Sequence, residues 1–159
     1  MDKLAIGPLH EKLALFVGDW DGEEEIFPNP WGPDGPGRGR WRFRLDASGF
    51  NLIHDFSEIR DGGYRFDAHG VLTVDPAAND YLWFWFDSYG FPPLTPSRGA
   101  WLGAVLTLEK TTPRGVGRSV FEFGGNGFDY RVESKLNVET GFAPVMAGHF
   151  VRTDRKSVV

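Results

Sequence analysis

Between Arg40 and Val74, apolar and polar side chains alternate along three consecutive segments that glycine-containing turns separate. Alternation with a period of two puts every second side chain on the same face of an extended strand. Each segment therefore predicts a β-strand with one apolar face and one charged face. The pattern continues towards the end of the chain, so we expect an all-β protein whose apolar faces must be covered.

One segment predicts a helix. Pro8 suits a first helical position, Gly18 suits the end, and an apolar stripe lies between them at about 8–17, formed by Leu9, Leu13, Phe16 and Val17. The remaining chain predicts strands in meander order, separated by turn-rich pieces and by the long loops Pro28–Gly39 and Gly90–Gly99. The predicted strands are Asp19–Phe27, Arg40–Ala47, Phe50–Arg60, Tyr64–Val74, Tyr81–Tyr89, Ala100–Lys110, Arg118–Gly124, Gly127–Asn137 and Phe142–Thr153.

The composition excludes several classes of protein. The 159 residues fit one domain over 1–159, and the absence of cysteine excludes disulfides and thiolate metal sites. The net charge is −5 with no cluster of Lys and Arg, so we expect no nucleic-acid partner. The N-terminus lacks an export signal, and the longest apolar run, Tyr81–Phe86, is too short to cross a membrane as a helix. We therefore expect a cytoplasmic protein without a membrane partner.

Turn lengths decide which side chains share a face. A three-residue turn at Asp61-Gly62-Gly63 places His54 on the apolar face, opposite Gly70. The turn at Ser48-Gly49 agrees, because it sets Phe43 beside His54 on the same face. About nine or ten antiparallel strands of this kind either close into a barrel or stack as two sheets. Sequential hairpins and one terminal helix favour an up-and-down barrel with an interior cavity.

Two sequence segments resemble a known family. Phe16-Val17-Gly18-Asp19-Trp20-Asp21-Gly22-Glu23 resembles the entry of calycin barrels such as lipocalins and nitrobindins. Together with Trp85-Phe86-Asp87-Ser88-Tyr89-Gly90, it resembles a bacterial family called domain of unknown function 1579, over nearly the whole chain. The resemblance implies a lipocalin-like barrel and no established activity; the helix is expected from the sequence pattern to close one end of that barrel. His149 in Met146-Ala147-Gly148-His149-Phe150 is similar to a late histidine of haem-binding nitrobindins, which implies haem as an alternative ligand.

The inward residues predict the chemistry of the cavity. We expect a small, largely apolar ligand to bind without turnover and without a cofactor or metal, driven by removal of its apolar surface from water. The expected ligand-binding residues are Trp41, Phe43, His54, Trp85, Asp87, Trp101, Tyr130 and His149.

Three of these residues leave alternatives open. His54 is either a hydrogen-bonded core histidine, a ligand contact, or one half of an acid–base pair with Asp87. Asp87 faces inward, with Trp85 beside Gly70, only if the loop after Asp75 has four residues; a five-residue loop reverses the faces. His149 faces inward, opposite Tyr130, if a four-residue loop separates Asn137 from Phe142.

The predicted strand at Tyr81–Phe86 is apolar on both faces. Its outer face must therefore meet something other than water. One of the long loops covers it, or it forms the interface of a homodimer or an adaptor.

Overall fold

In the computed structural model, which describes residues 1–153, ten antiparallel strands close into one barrel. Each strand pairs with its neighbours along the chain, and β1 pairs with β10. A short helix, α1 (Pro8–Lys12), and a 3-10 turn (Leu13–Leu15) precede them. The strands are β1 (Gly18–Ile26), β2 (Gly35–Leu45), β3 (Asn51–Arg60), β4 (Arg65–Asp75), β5 (Asp80–Asp87), β6 (Ser97–Leu102), β7 (Val105–Thr112), β8 (Gly115–Gly124), β9 (Gly127–Leu136) and β10 (Ala143–Arg152). The predicted up-and-down barrel is confirmed.

The helical segment closes one end of the barrel. Phe16, just after the 3-10 turn, is fully buried. Its ring contacts the ring of Phe43 on β2 and the rings of Phe121 and Phe123 on β8. Trp20 adds a hydrogen bond from its indole N–H to the carbonyl oxygen of Phe16, at 2.7 Å. These contacts of Phe16 and Trp20 therefore fix the helical segment to strands that are distant in sequence. Within residues 1–153, no helix has the length and apolar character needed to cross a bilayer.

The turns that set the interior register are confirmed. His54 pairs with Gly70 and with Phe43, as the turns at 61–63 and 48–49 predict. Asp75 pairs with Asp80 across a four-residue loop, which directs Trp83, Trp85 and Asp87 inward. The six residues after Thr153, part of the predicted 1–159 domain, lie outside the described residues.

Several predicted strand boundaries are wrong, including those of β6, which begins at Ser97 within the predicted loop Gly90–Gly99, and of β8, which begins at Gly115. The predicted strand Ala100–Lys110 is two strands, because Gly103 takes a left-handed conformation (φ +60°) and turns the chain between β6 and β7. Strand β2 begins at Gly35 within the predicted loop Pro28–Gly39.

Strand β6 is too short to line the whole length of its neighbours. It pairs with β5 only at Tyr81, Leu82 and Trp83, so the segment Phe84–Asp87 has no partner on that side. We call this opening in the wall the β5–β6 gap. The connection 88–96, which contains Pro92, Pro93 and Pro96, joins the two strands there.

The predicted inward position of His149 is wrong. Pro144 pairs with Glu133 and Met146 pairs with Val132, so Val145 is an extra residue, a β-bulge, in β10. The bulge shifts the register by one residue, and a one-residue shift exchanges the faces of a strand. His149 therefore lies opposite Asp129 on the outer surface, where Nδ1 hydrogen-bonds with the Asp129 carboxylate at 2.7 Å.

Candidate functional site

The interior of the barrel is filled at the helix end and hollow at the other. Aromatic rings pack the closed half around Trp41, which is fully buried and stacks on Phe43. The other half holds a cavity of about 760 Å³. Residues of the connections 27–34 and 88–96 line its mouth, among them Trp31 and Phe91. The cavity thus occupies half of the barrel.

The walls of the cavity differ in chemistry. One wall, on β3, β4 and β5, presents the aromatic side chains of Phe56, Phe66, Trp83 and Trp85. The rings of Phe66 and Trp85 stack with an interplanar angle of 23° and centroids 6.4 Å apart. The facing wall, on β8 and β9, presents hydroxyl groups, including those of Ser119 and Tyr130. A flat apolar ligand with a polar group fits this division.

The structure separates the residues predicted to bind a ligand. Three of them, Trp85, Asp87 and Tyr130, line the cavity. The others lie elsewhere: Trp41, Phe43, His54 and Trp101 pack in the filled half, and His149 is outside. Because an outward His149 cannot reach a ligand in the barrel, the haem alternative has lost the residue that implied it.

His54 has the environment of a core histidine. Its Nε2 accepts a hydrogen bond from the indole N–H of Trp83 at 2.8 Å. Its ring fills the space left by Gly70, where any Cβ would lie 2.5 Å from Nε2. Burial lowers the pKa of His54 to about 3, so the ring is neutral at physiological pH.

Asp87 has hydrogen-bond partners other than His54, with which one of the alternative interpretations pairs it. Its carboxylate instead accepts hydrogen bonds from the Trp85 indole N–H at 2.9 Å and from the Tyr89 backbone N–H at 3.0 Å. These bonds fix the Trp85 ring against the cavity. Asp87 is therefore a positioning residue at the mouth.

Two buried glutamates that the sequence interpretation did not single out stand at the inner wall. Glu58 on β3 is 2% exposed and lines the cavity, and Glu24 on β1 is 5% exposed. The Arg60 guanidinium donates to a Glu58 carboxylate oxygen at 2.6 Å and to the carbonyl oxygen of Pro33 at 2.8 Å. Arg60 thereby joins the carboxyl pair to the 27–34 connection at the mouth.

The two glutamates meet because β2 has no side chain between them. Gly39 pairs with Glu58, and the Glu24 side chain crosses the position that a Cβ on Gly39 would occupy. Glu24 itself pairs with Gly37 on one side and Gly148 on the other. Glycines on both neighbouring strands thus make room for an inward carboxyl group.

The Glu24–Glu58 pair must hold a proton. Among residues 1–153, neither carboxyl oxygen of Glu24 has an N–H or O–H donor, while the Glu58 carboxyl lies beside it. Burial penalises the charged form of Glu24, and a hydrogen bond with the Glu58 carboxyl and repulsion between two ionised carboxylates add to this effect. Together they raise the pKa of Glu24 far above its usual range. At neutral pH Glu24 is therefore an uncharged carboxylic acid.

Within residues 1–153, no group of three or more His, Cys, Asp or Glu residues is placed to hold a metal ion.

The outer face of β5 carries apolar side chains. Leu82 and Phe84 are half-buried there, and Phe86 is 46% exposed. The homodimer expected at this face stays a prediction.

We compared the chain with curated proteins and with solved structures. No curated protein matches the sequence. A crystal structure of Rv2717c from M. tuberculosis is similar in fold, with a TM-score of 0.69 and 15% sequence identity over 94% of this chain and 99% of that one. A de novo designed fluorescence-activating β-barrel matches with a TM-score of 0.46 and 14% identity, over 89% of this chain and 96% of that one.

A family model covers most of the chain. The model described as "Protein of unknown function (DUF1579)" matches residues 6–124, a span that includes the helix, both buried glutamates and the aromatic wall. This protein, a ten-stranded barrel with a half-hollow interior, therefore belongs to the DUF1579 family.

Proposed function

We propose that this protein binds a small, largely apolar molecule in the cavity and does so without chemical turnover. The observation that carries the proposal is the cavity of about 760 Å³, which has an aromatic wall and a few convergent polar groups. Ligand sites are commonly concave, mostly apolar and about 300–1,000 Å³ in volume. The cytoplasmic location expected from the sequence belongs to the same proposal.

The aromatic wall supplies the affinity in this proposal. A flat ring placed against Phe66 and Trp85 loses apolar surface to water, which favours binding by about 25 cal/mol per Å² before the cost of immobilisation. Asp87 holds the Trp85 indole in place, so the wall is formed before a ligand arrives. Preorganisation of this kind reduces the cost of binding.

Native mass spectrometry of protein purified without denaturation tests the proposal. We expect a small molecule to remain bound and an uncharged naphthalene probe to quench tryptophan fluorescence. Gly117→Leu should abolish both, because Gly117 lines the cavity and a Cβ there meets nothing within 4 Å.

Gly124→Leu is the matched control, since Gly124 lies on the same strand, is exposed, and has open space around its Cβ position. Binding that survives Gly117→Leu, or that Gly124→Leu removes equally, would contradict the proposed site.

A further inference from the structure

We propose that the Glu24–Glu58 pair is the polar anchor of the ligand, and that it selects a molecule with a protonated amine attached to an aromatic or other apolar group. This inference rests on the proposed function and names the ligand class of the same cavity. Its starting point is the buried carboxyl group of Glu24, which receives no N–H donor among residues 1–153, so that the Glu58 carboxyl is its one polar partner. Buried polar groups usually have their hydrogen bonds satisfied in folded proteins.

The cationic groups at the cavity leave Glu24 without a donor. The charged residues that line the cavity are Glu58, Asp87, Glu133, Arg60, Lys110, Arg114 and Arg118, and none of these cations donates a hydrogen bond to the buried Glu24 carboxyl. Arg60 is already bound to Glu58 and to the Pro33 carbonyl. Lys110 and Asp87 both lie towards the mouth. An ammonium group at the pair supplies the donors that Glu24 lacks.

The aromatic wall favours the same class of ligand. Phe56 and Phe66 flank Glu58 on the neighbouring positions of β3 and β4, so their rings lie next to the anchor. The faces of aromatic rings attract cations, and this attraction grows when both partners are removed from water. A cavity that combines buried carboxyls with aromatic faces therefore suits an amine better than a carboxylate.

Binding exchanges one positive charge for another. The proton on Glu24 leaves for solvent when the ammonium N–H groups hydrogen-bond to the pair, so the net charge of the cluster does not change. The Arg60 guanidinium and the Tyr130 phenol also lie near the pair, and burial raises the pKa of Tyr130. Lys110 and Asp87 lie farther out, at the mouth. Because a proton is released, affinity for the amine should rise with pH until the amine itself deprotonates.

Three probes with one ring system separate the ligand classes: 1-naphthylmethylamine, 1-naphthalenemethanol and 1-naphthoic acid. We expect the amine to bind the wild-type protein at pH 8 at least about tenfold more tightly than the alcohol, and the acid to bind most weakly. Calorimetry in two buffers of different ionisation enthalpy should show the release of about one proton per amine bound. The advantage of the amine should shrink towards pH 6.

Glu24→Gln tests the anchor directly. The glutamine amide can donate to Glu58, as the protonated glutamate does, so the variant should fold while having no proton to release. We expect it to bind the amine no more tightly than the alcohol and to bind the alcohol as the wild type does. Glu23→Gln, an exposed neighbour on β1, is the matched control and should behave like the wild type.

The outcomes distinguish the two proposals. If the acid binds as tightly as the amine, if no proton is released, or if Glu24→Gln binds the amine like the wild type, the amine anchor is wrong while alcohol binding still supports a ligand cavity. If none of the three probes binds the wild-type protein and no molecule is retained in native mass spectrometry, the proposed function itself is wrong.

Discussion

Trp83, which lines the cavity, donates its indole N–H across 2.8 Å to Nε2 of His54 in the closed half of the barrel. Because Nε2 accepts, the imidazole proton is on Nδ1, which has no partner among the described residues. The pair links β3 to β5 across β4, where Gly70 lacks a side chain. Protonation of His54 would place a second donor against the Trp83 N–H, so the core favours the neutral ring.

This pair predicts acid sensitivity. The pKa of His54 is lowered on folding, so the unfolded chain takes up a proton first as the pH falls below about 6.5. The stability contributed by neutral His54 is complete above that pH and is lost as the pH falls towards about 3. Between pH 6.5 and 5 the loss from this group should be about 2 kcal/mol.

Urea unfolding at several pH values checks this expectation. His54→Gln keeps an acceptor for the indole N–H and should flatten the dependence over that range. Trp83→Phe removes the donor and should lower the free energy of unfolding by about 1–3 kcal/mol while the pH dependence remains. An unchanged slope in His54→Gln would show that another group causes the acid sensitivity.

Glu24 predicts the opposite dependence. Its pKa is raised on folding, so its contribution is fully present below the ordinary glutamate pKa of about 4.5 and is lost as the pH rises towards the folded-state value. Glu24→Gln should therefore increase the free energy of unfolding at pH 8 by more than about 1 kcal/mol. Denaturant unfolding at pH 5 and pH 8 measures the effect. Equal gains at both pH values, or a gain in Glu23→Gln as well, would contradict it.

Gly39 predicts a steric coupling with Glu24. A Cβ at Gly39 collides with the Glu24 carboxyl and lies 3.0 Å from the Phe150 ring. Gly39→Ala should cost about 3 kcal/mol of stability. In the Glu24→Ala background the same substitution should cost at least about 1 kcal/mol less, as a double-mutant cycle would show. Gly124→Ala, with open space around its Cβ, is the control; additive costs would mean that the two residues do not compete for space.

The β5–β6 gap predicts weak local protection. Tyr81, Leu82 and Trp83 have β-strand partners on both sides, whereas Phe84–Asp87 have them only on β4. Amides in Phe84–Asp87 that point towards the gap should exchange with solvent faster than the protected amides of Tyr81–Trp83. Hydrogen–deuterium exchange resolved by residue measures the contrast. Uniform slow exchange along β5 would mean that the connection 88–96 seals the wall.

The outer face of β5 predicts association. Phe86 is 46% exposed beside the half-buried Phe84, so we expect a homodimer that covers both rings. Light scattering should give twice the 17.8 kDa monomer mass, and Phe86→Glu should return the protein to the monomer. Val138→Ser, which changes a side chain 92% exposed near the mouth, should leave the mass unchanged. A wild-type monomer at high concentration would rule out this use of the face.

The sequence predicts the interior best where short turns set the register. The turn at 61–63 and the four-residue loop after Asp75 each have a strong Gly, Asp or Pro signal, so the inward positions of His54, Trp85 and Asp87 follow from counting. The Gly103-Ala104 turn has one glycine inside an apolar run, so β6 and β7 read as one strand. Side chains on one face can be assigned from the sequence, but whether they fill the barrel or border a cavity depends on packing across it.

The carboxyl pair was missed because Glu23, Glu24 and Glu25 are consecutive and resemble a solvated acidic stretch. The signal that could have found it is the alternation of glycine at Gly35, Gly37 and Gly39, which is unusual in a strand and indicates close approach of another group. Glu24 on β1 and Glu58 on β3 meet across β2, so the contact can be predicted only when the registers of all three strands are known together. Counting the residues of one turn gives the register of one pair of strands.

The bulge at Val145 absorbs one extra residue without turning the rest of β10. Loss of Val145 would join Pro144, opposite Glu133, directly to Met146, opposite Val132, and would leave the fully buried Phe150 inside. The neighbouring loop 137–142 can also gain or lose residues, because its length does not change the pairing of β10 with β9. A residue inserted between Met146 and Phe150 would instead exchange the faces of the strand beyond it. Natural variants and engineered insertions should therefore be tolerated in the loop and at the bulge and eliminated a few positions later.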